Sequence, residues 1–454
     1  MSQALPKMID YAEPMFSLPS GTQSFQVVCN PLSGSTFGAN TQIDVDLGSR
    51  GYLDPKSLIF RYKMTSTAGA TTYMVGTPVY TPFQRLQVVM NSQTVEQIPN
   101  YNVVCNMIVN QTKDVSQKLG EQSAYGFADE YILSSPITNE QLDGGVFASG
   151  ASKYVSAPLI CSLSNCQKLI PLHLLNGVRL SFFTDSIANM FSVVSNAGAT
   201  PVGTADATTR VVAYTAGTNV TTIALPGTNE FTISNFEVVY NCIDFPQEIK
   251  DVVSSMDKIR IKSSTWASSA QSVAQGVTGQ RNLTFNHKFS SVKAIFLNMG
   301  GTTRTISANG NMDSCNIAGI TGDYQFSVAG INYPQRCLSC ANNHGGLLQS
   351  LRQAIGSVYD KNNAMSINAL EWNKISTNTT QPIVPAKFWV GVSTEKLKLE
   401  GSSFFTGIST ESSPINAIIN INTATSRPHN VMMIVNADLI YEIDPQTHQV
   451  VVIQ

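Results

Sequence analysis

Apolar and polar residues alternate along most of the chain, and this two-residue period predicts β-strands in both halves of the sequence. Successive side chains of a strand point to opposite faces, so each alternating run has one face suited to a core. The apolar positions of these runs are Phe25, Val27 and Cys29; Ile43, Val45 and Leu47; Leu58, Phe60 and Tyr62; Leu86, Val88 and Met90; Val178, Leu180 and Phe182; Ile259 and Ile261; Ala294 and Phe296; Phe326 and Val328; Phe388 and Val390; Ile419 and Ile421; Met433 and Val435; and Leu439, Tyr441 and Ile443.

Three segments change to helical spacing, in which apolar residues recur at intervals of three and four. The first and third helices lie about half a chain apart, and the second lies near the midpoint of the chain. Their apolar stripes are Tyr101, Val104, Cys105, Ile108 and Val109, followed by a polar tail to Lys118; Ile249, Val252, Val253 and Met256; and Leu347, Leu348, Leu351, Ile355 and Val358.

The midpoint helix predicts a division of the chain into two similar β-domains. Asp244, with Gln247 three residues later, is a candidate capping box for the start of this helix. A segment rich in small and polar residues before it indicates a long loop between strands. The predicted division is an N-terminal arm at 1–22, a first β-domain at 23–244 that includes a long loop at 185–230, a linker helix at 245–256, and a second β-domain at 257–454.

The composition supports an ordered protein with a large core. Among 454 residues, 43% are hydrophobic and 13% are charged, where a typical soluble domain has about 25% charged residues. No stretch approaches the roughly 18 consecutive apolar residues of a membrane span, and the first residues lack the apolar run of a signal peptide. We therefore expect neither a transmembrane segment nor secretion by the usual route.

The eight cysteines are scattered, and we expect reduced, mostly buried thiols in a chain of this size. Cys337, Cys340 and His344 form the strongest candidate for a zinc site, but one CxxC pair without a second pair favours buried thiols. His173 lies in an apolar segment, PLHLL, which indicates a partly buried structural histidine. The sequence therefore predicts no metal site and no cofactor.

Motifs of known catalytic chemistry are absent from the sequence. There is no GxSxG, no phosphate-binding loop, and no GxGxxG at the start of a helix. Asp44 and Asp46 share one face of a predicted strand, which is typical of a solvated outer face more often than of a calcium site or an acid/base pair. We predict no catalytic, cofactor-binding or metal-binding residues, and that the protein is not an enzyme.

The charge pattern argues against direct contact with nucleic acid, because affinity for phosphate comes from clustered Lys and Arg. The first fifty residues contain two basic residues against four acidic ones, and the formal net charge of the chain is -2. The best counterexample is Lys258, Arg260 and Lys262, which alternate with Ile259 and Ile261. We interpret this row as the solvent side of a strand.

Four segments, in this order, resemble the major capsid proteins of the double jelly-roll lineage, above all those of polinton-like viruses and virophages. The first segment resembles the family's succession of a strand, a turn, an E-x-I motif, a tyrosine and a helix. The second resembles a strand pair, the third the last strand of the first barrel, and the fourth the closing hairpin of the second barrel. The segments are 83–98 with Tyr101-Asn-Val; 158–163 with 170–180; 231–245; and 431–453.

The resemblance implies an all-β protein of two tandem eight-stranded jelly rolls with a few short helices. It implies a major capsid protein that forms homotrimeric, pseudo-hexagonal capsomers in the icosahedral shell of a DNA virus. The expected location is the virion capsid, after assembly inside the host cell. The expected partners are other copies of the chain, penton proteins and minor capsid proteins, with the genome held apart from this shell.

Two other classes stay open at the level of the sequence. A tandem jelly-roll enzyme of the glycoamidase type would need convergent carboxylates of raised pKa between the domains. A carbohydrate-binding or adhesive β-sandwich protein would show exposed aromatic residues, whereas Trp266, Trp372 and Trp389 are few and unclustered.

Overall fold

Strands dominate the part of the chain that the computed structural model describes, which comprises residues 19–68, 72–127, 144–147, 150–195, 211–213, 227, 229–274, 276–301, 323–339, 344–356, 372, 388–396, 405–421 and 429–454. The strands before the midpoint are β1 (Gln23–Cys29), β2 (Thr36–Phe37), β3 (Gln42–Asp46), β4 (Tyr52–Leu53), β5 (Ile59–Ser66), β6 (Thr72–Val75), β7 (Phe83–Met90), β8 (Gln93–Pro99), β9 (Gly144–Phe147), β10 (Ser152–Pro158), β11 (Ile170–Pro171), β12 (Val178–Thr184), β13 (Phe191–Ser195), β14 (Val211–Ala213) and β15 (Phe231–Asp244).

The strands after the midpoint are β16 (Ile259–Val273), β17 (Gly279–Phe285), β18 (Val292–Gly301), β19 (Asp323–Val328), β20 (Ile331–Ser339), β21 (Val390–Ser393), β22 (Ile415–Ile421), β23 (His429–Asp444) and β24 (Gln449–Ile453). The helices are α1 (Tyr101–Thr112), α2 (Val115–Gly120), α3 (Gln122–Tyr125), α4 (Ile187–Met190), α5 (Gln247–Ser254) and α6 (His344–Gly356).

The strands form two separate systems of sheets. The first system contains a seven-stranded sheet, β10-β5-β15-β4-β11 with β1 and β2 also paired to β15, and two four-stranded sheets, β3-β12-β7-β8 and β14-β13-β6-β9. The second contains a five-stranded sheet, β16-β23-β18-β21 with β24 on β23, and a four-stranded sheet, β17-β22-β19-β20. Within the described residues, no ladder pairs a strand of the first system with one of the second. The all-β prediction is confirmed.

The alternating pattern places the predicted apolar positions in the core. Ile43 and Val45 of β3 are fully buried, while Asp44 and Asp46 between and after them face outward. The first system is packed around a group of aromatic rings in which neighbouring centroids lie 5.1–6.3 Å apart: Phe60, Tyr62, Phe83, Phe182 and Phe236. Aromatic contacts at these distances add to the free energy of area burial.

Two of the predicted helices lie where the helical spacing placed them. α1 covers the first stripe and is buried on all sides, because polar residues on its other faces also find partners; Asn102 donates to Asp185 at 2.9 Å. The polar tail forms a separate helix, α2, in place of a continuation of α1. α6 covers the third stripe up to Gly356, and Val358 lies outside the described residues.

The prediction for the midpoint helix is wrong in its start and in its packing. α5 begins after Pro246, and no side chain caps its first turn. Asp244 lies too far before the helix to cap it, and it pairs with Arg50 at 3.1 Å and Lys250 at 2.5 Å. Val252 is 60% exposed in the chain. The apolar stripe of this helix is therefore not fully packed in the chain, and Val252 faces solvent.

The predicted loop at 185–230 contains regular structure in its described residues. α4 leads into β13, which pairs with β6, and β14 lies parallel to β13. Phe191 is fully buried, with its ring centroid 5.3 Å from that of Phe231. The sequence does not indicate these strands because they are short and their alternation is weak. Their pairing comes from strands far away in the chain.

Two glycines between β3 and β4 provide a test of close backbone packing. Gly48 and Gly51 both have positive φ, at +75° and +65°. A Cβ on Gly51 would lie 2.6 Å from Cys242 Sγ and 2.9 Å from the carbonyl oxygen of Ile243, whereas a Cβ on Gly48 would meet nothing within 4 Å. Each alanine variant has the conformational cost of positive φ, about 1–2 kcal/mol.

We predict that Gly51→Ala lowers the free energy of unfolding by about 1–3 kcal/mol more than Gly48→Ala, because only Gly51→Ala also overpacks β15. Urea unfolding of both variants beside the parent measures the difference. Equal losses would show that the contact with Cys242 relaxes without cost.

Candidate functional site

The residues that the sequence singled out for chemistry do not converge. Cys337 is exposed on β20, His344 begins α6, and Cys340 lies outside the described residues. Among the described side chains, no group of three or more His, Cys, Asp or Glu could hold a metal ion.

Asp44, Asp46 and His173 have structural roles. Asp44 accepts hydrogen bonds from Gln42 and Ser181, and Asp46 accepts one from the backbone N–H of Gly48 at 2.9 Å. His173 is half-buried, with Nδ1 3.3 Å from the carbonyl oxygen of Gly51. Burial lowers the pKa of His173, so the ring is neutral at pH 7. These contacts agree with an outer strand face at Asp44 and Asp46 and with a partly buried histidine at position 173.

Two surface grooves are present in the described part of the chain. One, of about 470 Å³, is lined mainly by apolar side chains such as Tyr52, Phe245 and Ile249, and includes one carboxylate, Asp54. The other, of about 670 Å³, contains Glu237, which pairs with Arg61 at 2.6 Å. Neither described lining has the pair of carboxylates that hydrolytic chemistry of the glycoamidase type would use.

The three tryptophans lie inside the protein. Trp266, Trp372 and Trp389 are each 1% exposed. Trp266 packs against Phe296, and Trp372 donates its ring N–H to the carbonyl oxygen of Trp389 at 3.0 Å. These rings therefore do not form a sugar-binding platform on the surface.

A buried polar contact, which we call the seam, joins the two sheet systems. The first sheet system contributes β8 and the segment after β10. The second contributes β16 and β23. At the centre of the seam, Glu96 of β8 accepts hydrogen bonds from the backbone N–H of Ser162 at 2.8 Å, from the Ser162 hydroxyl at 2.6 Å and from the Thr265 hydroxyl of β16 at 2.6 Å. Ser162 also bonds Tyr441 of β23.

Further polar contacts extend the seam along β16. Ser268 donates to the carbonyl oxygen of Pro99 at 2.7 Å, and Asn165 donates to that of Ser264 at 3.3 Å. The sequence analysis missed this site. The signal that could have found it is the run KSSTWASS at 262–269, in which serine and threonine occupy both faces of a strand.

The basic row at the start of β16 pairs with acids of the neighbouring strand. Lys258 and Arg260 pair with Glu442 of β23 at 2.5 and 2.8 Å, and Lys262 lies 3.9 Å from Asp438. Lys258 and Arg260 are exposed, as predicted, whereas Lys262 is half-buried beside the fully buried Asp438. The acids offset part of the positive charge that could attract phosphate.

Several large apolar side chains of the described residues are exposed, and two pairs of them lie close together in the sequence. Val252 and Met256 lie at α5, and Val451 and Ile453 lie on β24. Within the described residues, β24 pairs with β23 alone, so its other edge is open. Open edges and exposed apolar groups are features that proteins usually cover in an assembly.

Comparison with solved structures identifies the fold. The chain is similar to the capsid protein in the PBCV-1 virus capsid (10% identity, TM-score 0.59, 95% of this chain and 97% of the other covered). It is also similar to the Faustovirus major capsid protein (10%, 0.59, 95% and 92%) and to the mavirus major capsid protein (10%, 0.53, 100% and 95%).

At these identities the similarity establishes the fold, which is the predicted double jelly roll. No protein-family model and no curated protein matches the sequence. In the described part of the chain, no helix has the length and apolar character needed to cross a membrane.

We predict eight free thiols in denaturant and a small fast-reacting set in the native protein. Of the six described cysteines, all free, Cys337 is exposed and five are buried. Burial raises the pKa of the Cys29 thiol to about 11 and that of Cys166 to about 12, so these thiols do not form the reactive thiolate at pH 8. Titration with a thiol reagent should give one fewer fast-reacting thiol in Cys337→Ser. A denatured count near zero would indicate disulfides.

Proposed function

We propose that this protein is a major capsid protein that forms homotrimeric, pseudo-hexagonal capsomers in the shell of an icosahedral DNA virus. The observation that carries the proposal is the double jelly-roll fold, which matches viral capsid proteins over nearly the whole length of both chains. Three copies of a two-barrel chain provide six barrels around a threefold axis. Such a ring can occupy a six-neighbour position in a shell.

We also propose the domain division 23–244 and 257–454, with an arm at 1–22 and a linker at 245–256. Its support is the separation of all described ladders at α5. The seam supports a role as one building block, because a buried hydrogen-bonded contact resists relative rotation of the two barrels.

The surface of the chain fits burial between copies. Charged residues make up 13% of the sequence, so a large interface can form with few desolvated charges. Exposed Val252 and Val451 provide apolar area for such contacts. We propose that the partners are other copies of this chain, penton proteins and minor capsid proteins, that the protein resides in the virion capsid, and that its role is structural with no enzymatic activity.

We predict a stable homotrimer in solution. Native mass spectrometry or light scattering on dilute protein should give three times the 49.0 kDa mass of the chain, about 147 kDa. Obligate interfaces bury roughly 2,000 Å² or more, so the trimer should persist on dilution. A stable monomer would contradict the capsomer proposal.

We predict no saturable binding to DNA in a gel-shift titration at about 50 mM salt, a condition that favours electrostatic binding. The physical reason is the pairing of Lys258 and Arg260 with Glu442. Glu442→Gln removes this pairing and should increase DNA retention, which makes it a positive control for the assay. Saturable binding by the parent with a steep salt dependence would place the basic row at a phosphate contact.

A further inference from the structure

The carboxylate of Glu96 is buried among neutral groups. Its exposed fraction is 3%, and Ser162 and Thr265 around it are buried as well. Glu96 takes part in none of the salt bridges of the described residues. Its charge is therefore stabilised by hydrogen bonds alone, from one backbone N–H and two hydroxyl groups.

The titratable groups that face Glu96 do not change charge near neutral pH. They are Tyr441 of β23 and Cys161 and Cys166 in the segment after β10. Burial raises the pKa of all three, to about 12 for Cys166 and well above the ordinary value for Tyr441. In this part of the seam, Glu96 is thus the group that can gain or lose a proton between about pH 4 and 8.

The network can accept a proton without losing a partner. A hydroxyl group donates or accepts according to its rotation. When Glu96 is protonated on Oε1, it can donate to the Thr265 hydroxyl, and Oε2 still accepts from the backbone N–H of Ser162. The ionised form accepts three hydrogen bonds but has no cation beside it, and the loss of water around its charge is the larger effect. Burial accordingly raises the pKa of Glu96, and the hydrogen bonds from Ser162 and Thr265 offset part of that rise.

We propose that Glu96 makes the seam between the two barrels pH-sensitive: it binds a proton on mild acidification, and the protonated seam is more stable than the ionised one. The folded chain binds this proton more tightly than the unfolded chain, so the contribution of Glu96 to stability increases as pH falls through its pKa in the folded state. Above that pKa, the buried charge weakens the seam. The inference concerns the fold and does not depend on the proposed function.

The test compares the parent with Glu96→Gln by thermal unfolding at pH 8 and pH 5.5. Glutamine matches the protonated acid, because its amide can donate to Thr265 and accept from Ser162. We expect Glu96→Gln to melt roughly 2 °C higher than the parent at pH 8, and we expect this difference to become smaller at pH 5.5. Other carboxyl groups titrate equally in both proteins and cancel in the difference.

Glu248→Gln is the matched control, since Glu248 is exposed on α5. At pH 8 this control should not raise the melting temperature as Glu96→Gln does. A melting difference between Glu96→Gln and the parent that stays constant with pH, or a parent that is the more stable protein at pH 8, would overturn the proposal.

A second measurement covers the case in which Glu96→Gln does not fold. Infrared spectra of the parent during acid titration should show the carbonyl band of a protonated carboxylic acid at a higher pH than the bulk of the carboxyl groups. Thr265→Val removes a hydrogen bond that favours the ionised form, so the band should appear at a still higher pH. An unchanged titration in Thr265→Val would contradict the proposal.

Discussion

Backbone hydrogen bonding along two long strands, one in each barrel, holds each barrel together. β15 pairs with β1, β2, β4 and β5, and β23 pairs with β16, β18 and β24. A buried strand must satisfy the N–H and C=O groups along both of its edges. Several shorter strands pair with different parts of each long strand and so satisfy these groups. In β15, a bulge between Ser234 and Glu237 allows the strand to pair with more than one neighbour. The remaining packing of each barrel follows from this arrangement.

The contact between the barrels differs from the contacts within them. The barrel interiors are aliphatic and aromatic, whereas the seam contains a carboxylate, several hydroxyl groups and amide side chains. Polar groups in a buried contact require defined partners, so they allow few alternative arrangements of the two barrels. A purely apolar seam would tolerate more rotation. The relative orientation of the barrels therefore depends on hydrogen bonds around Glu96, Ser162 and Thr265.

Ion pairs reduce the positive charge of two small basic clusters on this protein. Arg50 and Lys250 meet Asp244, and Lys258 and Arg260 meet Glu442. Both groups lie near α5, where the chain passes from one barrel to the other. Each acid offsets one of its two basic partners, so each cluster has one net positive charge in place of two. This lowers the attraction of an anionic polymer.

The sequence by itself determined the all-β class, the alternating core positions, α1 and α6, because each depends on the spacing of apolar residues within one segment. The resemblance carried by four ordered motifs extended this to two jelly rolls. Only the tertiary structure decided the seam, the strands within 185–230 and the true environment of α5, because each depends on residues distant in the chain. The sequence pattern around Asp244 is that of a helix cap, but in the structure Asp244 pairs with Arg50 and Lys250. Glu96 looked like an ordinary strand residue, since no local pattern shows that a second barrel will remove its water.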